Sequence, residues 1–378
     1  MRLSMHKKWD ERESLMNMVR SSDLLCEFGE LSTKLRRSVR LDHLFALTDH
    51  NALFQHAKYS LPARREGYTV DDNARALVFT MKSDGFGVTP TVFELQRKLI
   101  SFLLLMQDDD GRFHNLMDFS QRIIDEPTVA DHLGRAIWAA GTVINSSIAS
   151  GAKSSARLIF DRALPWARAS TSPRTKAYAC LGLHERLIAE PDENNLRANL
   201  KLMADSLVAL YNSNRTSSWD WFENILTYDK GRLVQALLCA YQSLREQVYF
   251  DVAEMSLQFL GRTETIEGNF APIGNRGWYV KGGTRALYDQ QPIEPGAMIE
   301  AATVAYKLNR SKLYEEILRQ ALGWFFGLNT KSVKLYDEST GACYDGITPK
   351  GLNENQGAES TLAFLLAAEA FVNAFSQP

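Results

Sequence analysis

Carboxylate side chains recur along this chain at or near the points where apolar helical segments begin. Five of them are candidates for acid–base or nucleophilic chemistry: Asp72, Asp131, Glu223, Glu294 and Glu359. Hydrolysis of a glycosidic bond needs one protonated carboxyl on the leaving oxygen and one ionised carboxylate acting on water or on carbon. A helix N-terminus favours the ionised form, whereas burial or a like charge raises a carboxyl pKa. We therefore expect the five acids to open into one cleft, with Glu223 and Glu294 as the better candidates for the protonated group.

Aromatic residues accompany the acids in one segment of the chain. Trp219 and Trp221 flank an aspartate, and Tyr228 closes the same stretch. Sugar rings have apolar C–H faces and a rim of hydroxyl groups, so indole rings beside carboxylates suit them. A hydrophobic staple beneath a loop is the structural alternative. We expect Trp219, Trp221 and a later residue, Trp278, to form walls of the cleft.

Further polar residues surround the same helix starts and are candidates for binding substrate. They are Asp71, Arg75, His132, Arg135, Asp289, Gln291 and Glu354, together with the three tryptophans and Tyr228. Their amide, carboxylate and guanidinium groups can hydrogen-bond to hydroxyls. One acid is enough for a helix N-cap, so the Asp71–Asp72 pair indicates more than capping. Cysteine and histidine spacing fits no metal site, and we expect neither a metal nor another cofactor.

Two kinds of helix alternate around these candidates. Helices that are apolar on nearly all faces begin near Asp72, Asp131, Thr175, Asp229, Glu294 and Glu359, and such helices lie inside large helical proteins. Amphipathic helices are predicted at 12–35, 90–106, 153–168, 192–212, 246–260 and 310–327. The buried helices recur with a mean step of about 57 residues, which is the length of a helix pair with loops.

This alternation predicts an all-α fold, an (α/α)6 six-hairpin toroid barrel. An open solenoid of helical repeats is the rival architecture, but its repeats are shorter and its loops more uniform. We expect residues 1–40 to form an N-terminal helical extension that packs on the barrel and residues 41–378 to form the barrel itself. Long loops, at 107–128, 213–228, 261–293 and 328–356, lead into inner helices. Functional residues concentrate on such loops, so the cleft is expected at the N-terminal ends of the inner helices.

Composition limits the classes of partner. The 378 residues carry a formal net charge of -2, and 45% are hydrophobic. This balance predicts a globular protein with a hydrophobic core, and it argues against the strongly basic surface that binds nucleic acid. An apolar N-terminal leader and an uncharged apolar run of membrane-spanning length are both absent from the sequence, so we expect a cytoplasmic protein without membrane contact. The four cysteines, Cys26, Cys180, Cys239 and Cys343, are expected to be buried thiols.

Several motifs together resemble a known family. They are Leu47-Thr48-Asp49, Gln55-His56-Ala57, Gly67-Tyr68 and Asp71-Asp72-Asn73-Ala74-Arg75-Ala76-Leu77, with segments 131–138, 219–232, 289–294 and 353–361. From about residue 41 onward the chain resembles bacterial (α/α)6-barrel glycosidase-like domains, which are free-standing or fused to glycosyltransferases. Ala130 stands where that family has an acid before Asp131. The resemblance implies a carbohydrate-active protein with an oligosaccharide or polysaccharide substrate and a possible glycosyltransferase partner.

The sequence thus predicts a glycoside hydrolase that uses paired carboxylates, with three alternatives left open. A sugar phosphorylase would need a basic phosphate pocket, for which the candidates are Arg75, Arg135, Arg276 and Arg285. A sugar 2-epimerase would need several histidines in the cleft, where only His114 and His132 are placed for that role. A non-catalytic glycan-binding module that partners a glycosyltransferase would bind glycans without turnover.

Overall fold

The helices follow one another with mostly short connections at one end and long ones at the other. The computed structural model describes residues 24–86 and 90–375. The helices are α1 (Leu24–Ser38), α2 (Asp42–Ala46), α3 (Val70–Lys82), α4 (Pro90–Met106), α5 (Asp131–Asn145), α6 (Ser150–Ala169), α7 (Pro173–Ala189), α8 (Asn194–Asn214), α9 (Gly231–Leu244), α10 (Gln247–Thr263), α11 (Ile293–Leu308), α12 (Lys312–Phe325) and α13 (Ala358–Phe375).

Six of these helices form a closed inner ring. They are α3, α5, α7, α9, α11 and α13; each contacts the next, and α13 returns to contact α3. Most residues of these helices are buried, which agrees with their apolar sequences. The closure confirms the predicted all-α (α/α)6 barrel. The inner helices begin within about three residues of the six predicted positions, well inside the usual uncertainty of helix ends.

The amphipathic helices form the outer ring. Helices α4, α6, α8, α10 and α12 each pack on the inner helix that precedes them, and α1 packs on α13. The α1–α13 contact joins Phe28 to Phe371 and Phe375, with the Phe28 and Phe375 ring centroids 4.8 Å apart. The predicted amphipathic segments match these helices, except that 12–23 lies outside the described residues. The boundary at residue 40 stays a prediction, and α1 fills the sixth position of the outer ring.

Helices α5 and α7 approach each other unusually closely because glycines line their contact. A Cβ atom on Gly141 would lie 2.2 Å from the carbonyl oxygen of Gly182, and one on Gly182 would lie 2.4 Å from that of Ile137. Both contacts are with backbone atoms, which have little freedom to move. Glycine at these two positions therefore fixes the spacing of the inner ring.

Replacing Gly141 by Ala is expected to lower the free energy of unfolding by about 1–3 kcal/mol, because overpacking forces the backbones apart. Gly151→Ala on the outer helix α6 is the matched control, since a Cβ there meets nothing within 4 Å. The control should be neutral or stabilising, because alanine favours a helix by about 0.5–1 kcal/mol over glycine. Urea unfolding of both variants measures the difference. Equal stabilities would contradict the close-packing argument.

Short antiparallel hairpins stiffen the long loops. The strand pairs are β1 (Ala57–Lys58) with β2 (Leu61–Pro62), β3 (Tyr68–Thr69) with β4 (Leu116–Met117), β5 (Ile225–Leu226) with β8 (Tyr279–Val280), β6 (Thr265–Ile266) with β7 (Asn269–Phe270), β9 (Tyr336–Asp337) with β10 (Ala342–Cys343), and β11 (Gly346–Thr348) with β12 (Gly351–Asn353). The β3–β4 and β5–β8 pairs join loops that are distant in sequence. The loops at the N-terminal ends of the inner helices therefore form one structured rim.

Two features of composition have a simple place in this fold. Helix α13 is long and apolar enough to cross a membrane by composition alone, but 72% of that stretch is buried inside the protein. It is an inner helix of the barrel. Cys180, Cys239 and Cys343 are free, buried thiols, as expected, while the side chain of Cys26 lies outside the described residues.

Candidate active site

One arginine joins two of the predicted carboxylates at the start of α3. Arg75 donates from Nη1 to Asp72 Oδ1 and from Nη2 to Glu359 Oε2, both at 2.9 Å. Thr69 caps α3 by accepting from the Asp72 amide, and its hydroxyl donates to Asp72 Oδ2 at 2.8 Å. The Asp72 side chain is 8% exposed, whereas that of Glu359 is 42% exposed. The first and last inner helices thus bring these two acids together at the mouth of the barrel.

The adjacent Asp71 belongs to a different network. It accepts hydrogen bonds from Arg135 on α5 and from Asn115 in the loop before that helix. The far side of Arg135 lies 3.9 Å from Asp229, which also accepts a hydrogen bond from Tyr178 on α7. Asp229 adopts a left-handed φ of 51°, a conformation uncommon outside glycine. Asp71 of α3, Arg135 of α5 and Asp229, two residues before α9, therefore form a chain of alternating charges, to which Tyr178 of α7 adds a neutral hydroxyl.

The two adjacent aspartates have opposite pKa shifts. Burial raises the pKa of Asp72 to about 6; Arg75 opposes this shift, and the negative charge of Glu359 adds to it. Burial also acts to raise the pKa of Asp71, but Arg135 and Arg75 outweigh it and hold the Asp71 pKa below its ordinary value. At weakly acidic pH, Asp71 is ionised while much of Asp72 keeps its proton.

Asp131 lies one helix further around the ring. Its Oδ1 accepts from Ser172 and Thr175 at 2.8 and 3.0 Å, and its Oδ2 accepts from the Tyr228 hydroxyl. These three bonds all come from neutral hydroxyl groups. Asp131 is half-buried, as is Tyr228, so both reach the rim of the cleft.

Glu223 is held at the same rim by a residue that the sequence analysis missed. Arg174, near the start of α7, contacts Glu223 Oε2 at 3.0 Å and also donates to the Tyr228 carbonyl at 2.8 Å. The Arg174 guanidinium lies over the Tyr228 ring, 5.0 Å from its centroid. A basic residue at an inner-helix start is the signal that could have identified it. The loop that carries Glu223 and Tyr228 is thereby fixed to α7.

Glu294 has a position different from the one expected. It is 1% exposed, accepts from Lys230 at 2.5 Å, and accepts from the Asp229 amide at 2.7 Å. Lys230 also contacts the buried Glu264 at 3.2 Å. Burial raises the pKa of Glu294 to about 7, with Lys230 opposing that shift. In this geometry Glu294 anchors the turn at Asp229, and its side chain is buried rather than open to a cleft.

The expectation for the tryptophans in the 213–228 loop is wrong. Trp221 is fully buried against Phe222, and Trp219 is 3% exposed between Phe259 and Tyr279. These rings pack beneath the loop, which is the alternative weighed against sugar stacking. An alternation of aromatic and polar residues does not by itself show whether the aromatic rings face a cleft or the protein interior. Trp278 is half-buried, and its place in the wall of the cleft stays a prediction.

The other residues predicted to bind substrate differ in how far they are buried. His132 is buried, with a ring nitrogen 3.1 Å from the Phe113 carbonyl, so it is a wall residue. Asp289 is half-buried and accepts from Arg276 at 3.1 Å. Gln291 is half-buried, and Glu354 is exposed on the loop before α13. Among the described residues, no cluster of three or more histidine, cysteine or acidic side chains is arranged to hold a metal.

Replacing Glu359 by Gln is expected to lower the pKa of Asp72. The substitution removes a negative charge that raises this pKa, and it leaves Arg75 free to pair with Asp72 alone. Carboxyl carbon NMR titration of the wild type and the variant measures the shift. Glu354→Gln, exposed on the loop that leads into α13, is the matched control. An unchanged or raised Asp72 pKa in Glu359→Gln would contradict this electrostatic assignment.

The fold of this chain recurs in solved structures. A D-mannose isomerase matches with a TM-score of 0.70 and 14% identity, over 91% of this chain and 97% of that chain. The cellobiose 2-epimerase of Bacillus thermoamylovorans matches with a TM-score of 0.71 and 9% identity, over 92% of this chain and 99% of that chain. The alpha-1,6-mannanase of a Salegentibacter species matches with a TM-score of 0.61 and 12% identity, over 92% of this chain and 99% of that chain.

The chain has the (α/α)6 fold of carbohydrate-active enzymes. At these identities the likeness shows the fold alone, and the neighbours include both hydrolases and sugar isomerases or epimerases. Comparison with protein-family models and with curated proteins gives no match. The (α/α)6 barrel therefore supplies the scaffold, and the choice among reactions depends on the residues at its mouth.

Proposed function

We propose that this protein is a glycoside hydrolase in which Asp72 is the proton donor and Asp71 is the ionised carboxylate. The observation that carries the proposal is the opposite pKa shift of two consecutive aspartates at the mouth of the barrel. Titratable groups whose environments separate their pKa values are suited to different roles in acid–base catalysis. Asp72 would protonate the departing glycosidic oxygen, and Asp71 would act on water or on the anomeric carbon.

The surrounding residues support this division of roles. Arg135 and Asn115 hold Asp71 in one orientation and stabilise its negative charge. Arg75 and Thr69 orient Asp72, and the charge of Glu359 opposes the loss of its proton. The Asp71 side chain is 27% exposed, so a sugar in the cleft can approach it.

A structural neighbour provides a second line of support. The Salegentibacter mannanase has an inactive variant in which two consecutive aspartates are replaced by asparagine, described in complex with alpha-1,6-mannotriose. This chain also carries two consecutive aspartates, Asp71 and Asp72, and they begin an inner helix of the same fold. The substrate class we propose is accordingly an oligosaccharide or polysaccharide.

The alternatives are less well supported by the contacts in the cleft. Phosphorolysis would need a cluster of arginines available to phosphate, but Arg75 and Arg135 are engaged with carboxylates, and Arg285 donates to two backbone carbonyls. Of the four candidates only Arg276, which pairs with Asp289, has a largely exposed side chain. Epimerisation would need histidines that move protons, but the rings of His114 and His132 each approach a backbone carbonyl.

A glycan screen with product analysis tests the proposal. The full chain is incubated with oligosaccharides and polysaccharides that differ in sugar, linkage and anomer, with and without inorganic phosphate. Hydrolysis predicts free reducing sugars whose yield does not depend on phosphate. Sugar phosphates would show a phosphorylase, an epimer without chain cleavage would show an epimerase, and binding without turnover would show a glycan-binding module. Each of these three outcomes overturns the proposal.

A further inference from the structure

A second cavity lies at the opposite end of the barrel axis from Asp72. Its volume is about 330 Å³, within the range of small-molecule sites. All six inner helices line it, mostly through residues of their C-terminal halves, although α9 contributes Gln235 from its first half; the lining residues include Met81, Asn145, Glu185, Gln235, Thr303 and Glu369. Its lining includes none of the carboxylates at the barrel mouth, Asp71, Asp72, Asp131, Glu223 and Glu359.

The carboxylates around this cavity are unevenly neutralised. Glu185 accepts from Lys82 at 2.5 Å, and Glu300 accepts two hydrogen bonds from Arg232 at 2.8 and 2.9 Å. Glu369 has no cation within 4 Å among the described residues, although it is 6% exposed. Its one hydrogen bond among those residues comes from the Asn373 amide at 2.5 Å. A buried carboxylate without its own cation is costly unless another group pairs with it.

Two more observations indicate which chemical groups would fit beside Glu369. Lys82 contributes to the field at Glu369, and Lys307 lies at the exposed rim, but burial outweighs both and raises the pKa of Glu369 to about 7. Thr303 lines the same cavity, and its buried Oγ1 has no hydrogen-bond partner among the described residues. A cationic group beside Glu369 and a polar group beside Thr303 would satisfy both side chains.

We propose that this cavity binds a small polar molecule bearing a protonated primary amine, with the ammonium group paired to Glu369. An amino sugar and a simple hydroxylated amine share this chemistry. The volume admits a molecule of about monosaccharide size. The site depends on residues of α11 and α13 at the end of the barrel opposite Asp72 and is independent of the reaction assigned to the cleft.

Calorimetric titration of the full chain tests the proposal with four probes. Glucosamine carries both the ring and the amine, glucose carries only the ring, N-acetylglucosamine has its amine neutralised, and ethanolamine carries the amine without a ring. We expect glucosamine to bind at least about tenfold more tightly than glucose or N-acetylglucosamine, which is the effect of about 1.4 kcal/mol of pairing energy. Ethanolamine binding with equal affinity would assign the site to simple amines, and weaker binding would assign it to amino sugars.

Variants locate the effect. Glu369→Gln should abolish the preference for the amine, and Glu369→Asp should retain part of it because the charge remains. Glu267→Gln, at an exposed hairpin turn, is the control and should bind like the wild type. An amine preference that survives Glu369→Gln would overturn the proposal, as would equal affinity of wild-type protein for glucosamine and glucose.

The pH dependence gives a readout that needs no variant. Glu185, Glu300, Lys82 and Lys307 also face the cavity, and the first two are already engaged in ion pairs. Glu369 becomes ionised as pH rises through about 7, so affinity for glucosamine should increase between about pH 5.5 and 7. Affinity that stays constant over this interval would contradict the role of Glu369.

Discussion

The Asp72→Asn variant will hydrolyse the best glycan from the screen about 10²–10⁴-fold more slowly than the wild type, which is the usual contribution of a general acid. An amide cannot donate the proton that leaves with the glycosidic oxygen. Asparagine keeps the shape of the side chain: its one carbonyl oxygen can accept from Arg75, and its amide NH2 can donate to the Thr69 hydroxyl. Measurement of kcat/KM alongside helical circular dichroism separates this loss from unfolding.

Asp161→Asn provides the matched control for that loss. Asp161 lies on the outer helix α6, pairs with Arg186, and is 60% exposed, so its amide variant should keep wild-type turnover. The wild-type rate should fall as pH rises above about 6, where Asp72 loses its proton. If Asp72→Asn retains activity within a few-fold, Asp72 is not the proton donor.

The Asp71→Asn variant will lose at least as much hydrolytic activity as Asp72→Asn, for a different reason. It removes the ionised carboxylate that acts on water or on carbon, and general acid–base assistance by one group is already worth about 10²–10⁴-fold. In the shorter Asp71→Ala variant, a small anion such as azide can occupy the place of the carboxylate and should restore cleavage of substrates with good leaving groups. Azide should not restore Asp72→Ala on ordinary glycans, because it supplies no proton donor.

Glu359→Gln distinguishes Asp71 from the other carboxylate near Asp72. Glu359 is more exposed than Asp71 and shares Arg75 with Asp72, so it is the competing candidate for the ionised partner. Our assignment predicts that Glu359→Gln moves the pH profile to lower pH and keeps substantial turnover. A nearly inactive Glu359→Gln beside an active Asp71→Asn would transfer the role to Glu359.

The fold was predictable because its signal is spread over the whole chain. Helices such as α5 and α13 are apolar on nearly all faces, and an interior position best explains such a sequence. Their starts were located by acids such as Asp131 and Glu359, which lie at the first turn of each helix. The helix periodicity, the loop lengths and the positions of the acids agreed with one another. Together they favoured a closed barrel over an open solenoid.

The site was predicted less completely because its geometry depends on partners that are distant in sequence. Nothing in the segment around Glu294 indicates that Lys230 is buried beside it. Likewise, alternation of tryptophan with acids around Trp221 does not reveal that the ring points inward. Asp71 was predicted to bind substrate, and its assignment to the reaction here depends on Arg135, which the sequence places 64 residues away.

The contact between α1 and α13 determines where the two ends of the described chain leave the barrel. Phe28, near the start of α1, lies against Phe375, the last residue of α13, and both are at the end of the barrel opposite Asp72. A protein domain joined directly behind Phe375 would therefore sit at this end of the barrel, away from Asp72. The same proximity would let a short linker join the two ends, so that new termini could be opened in a short turn such as that between α11 and α12.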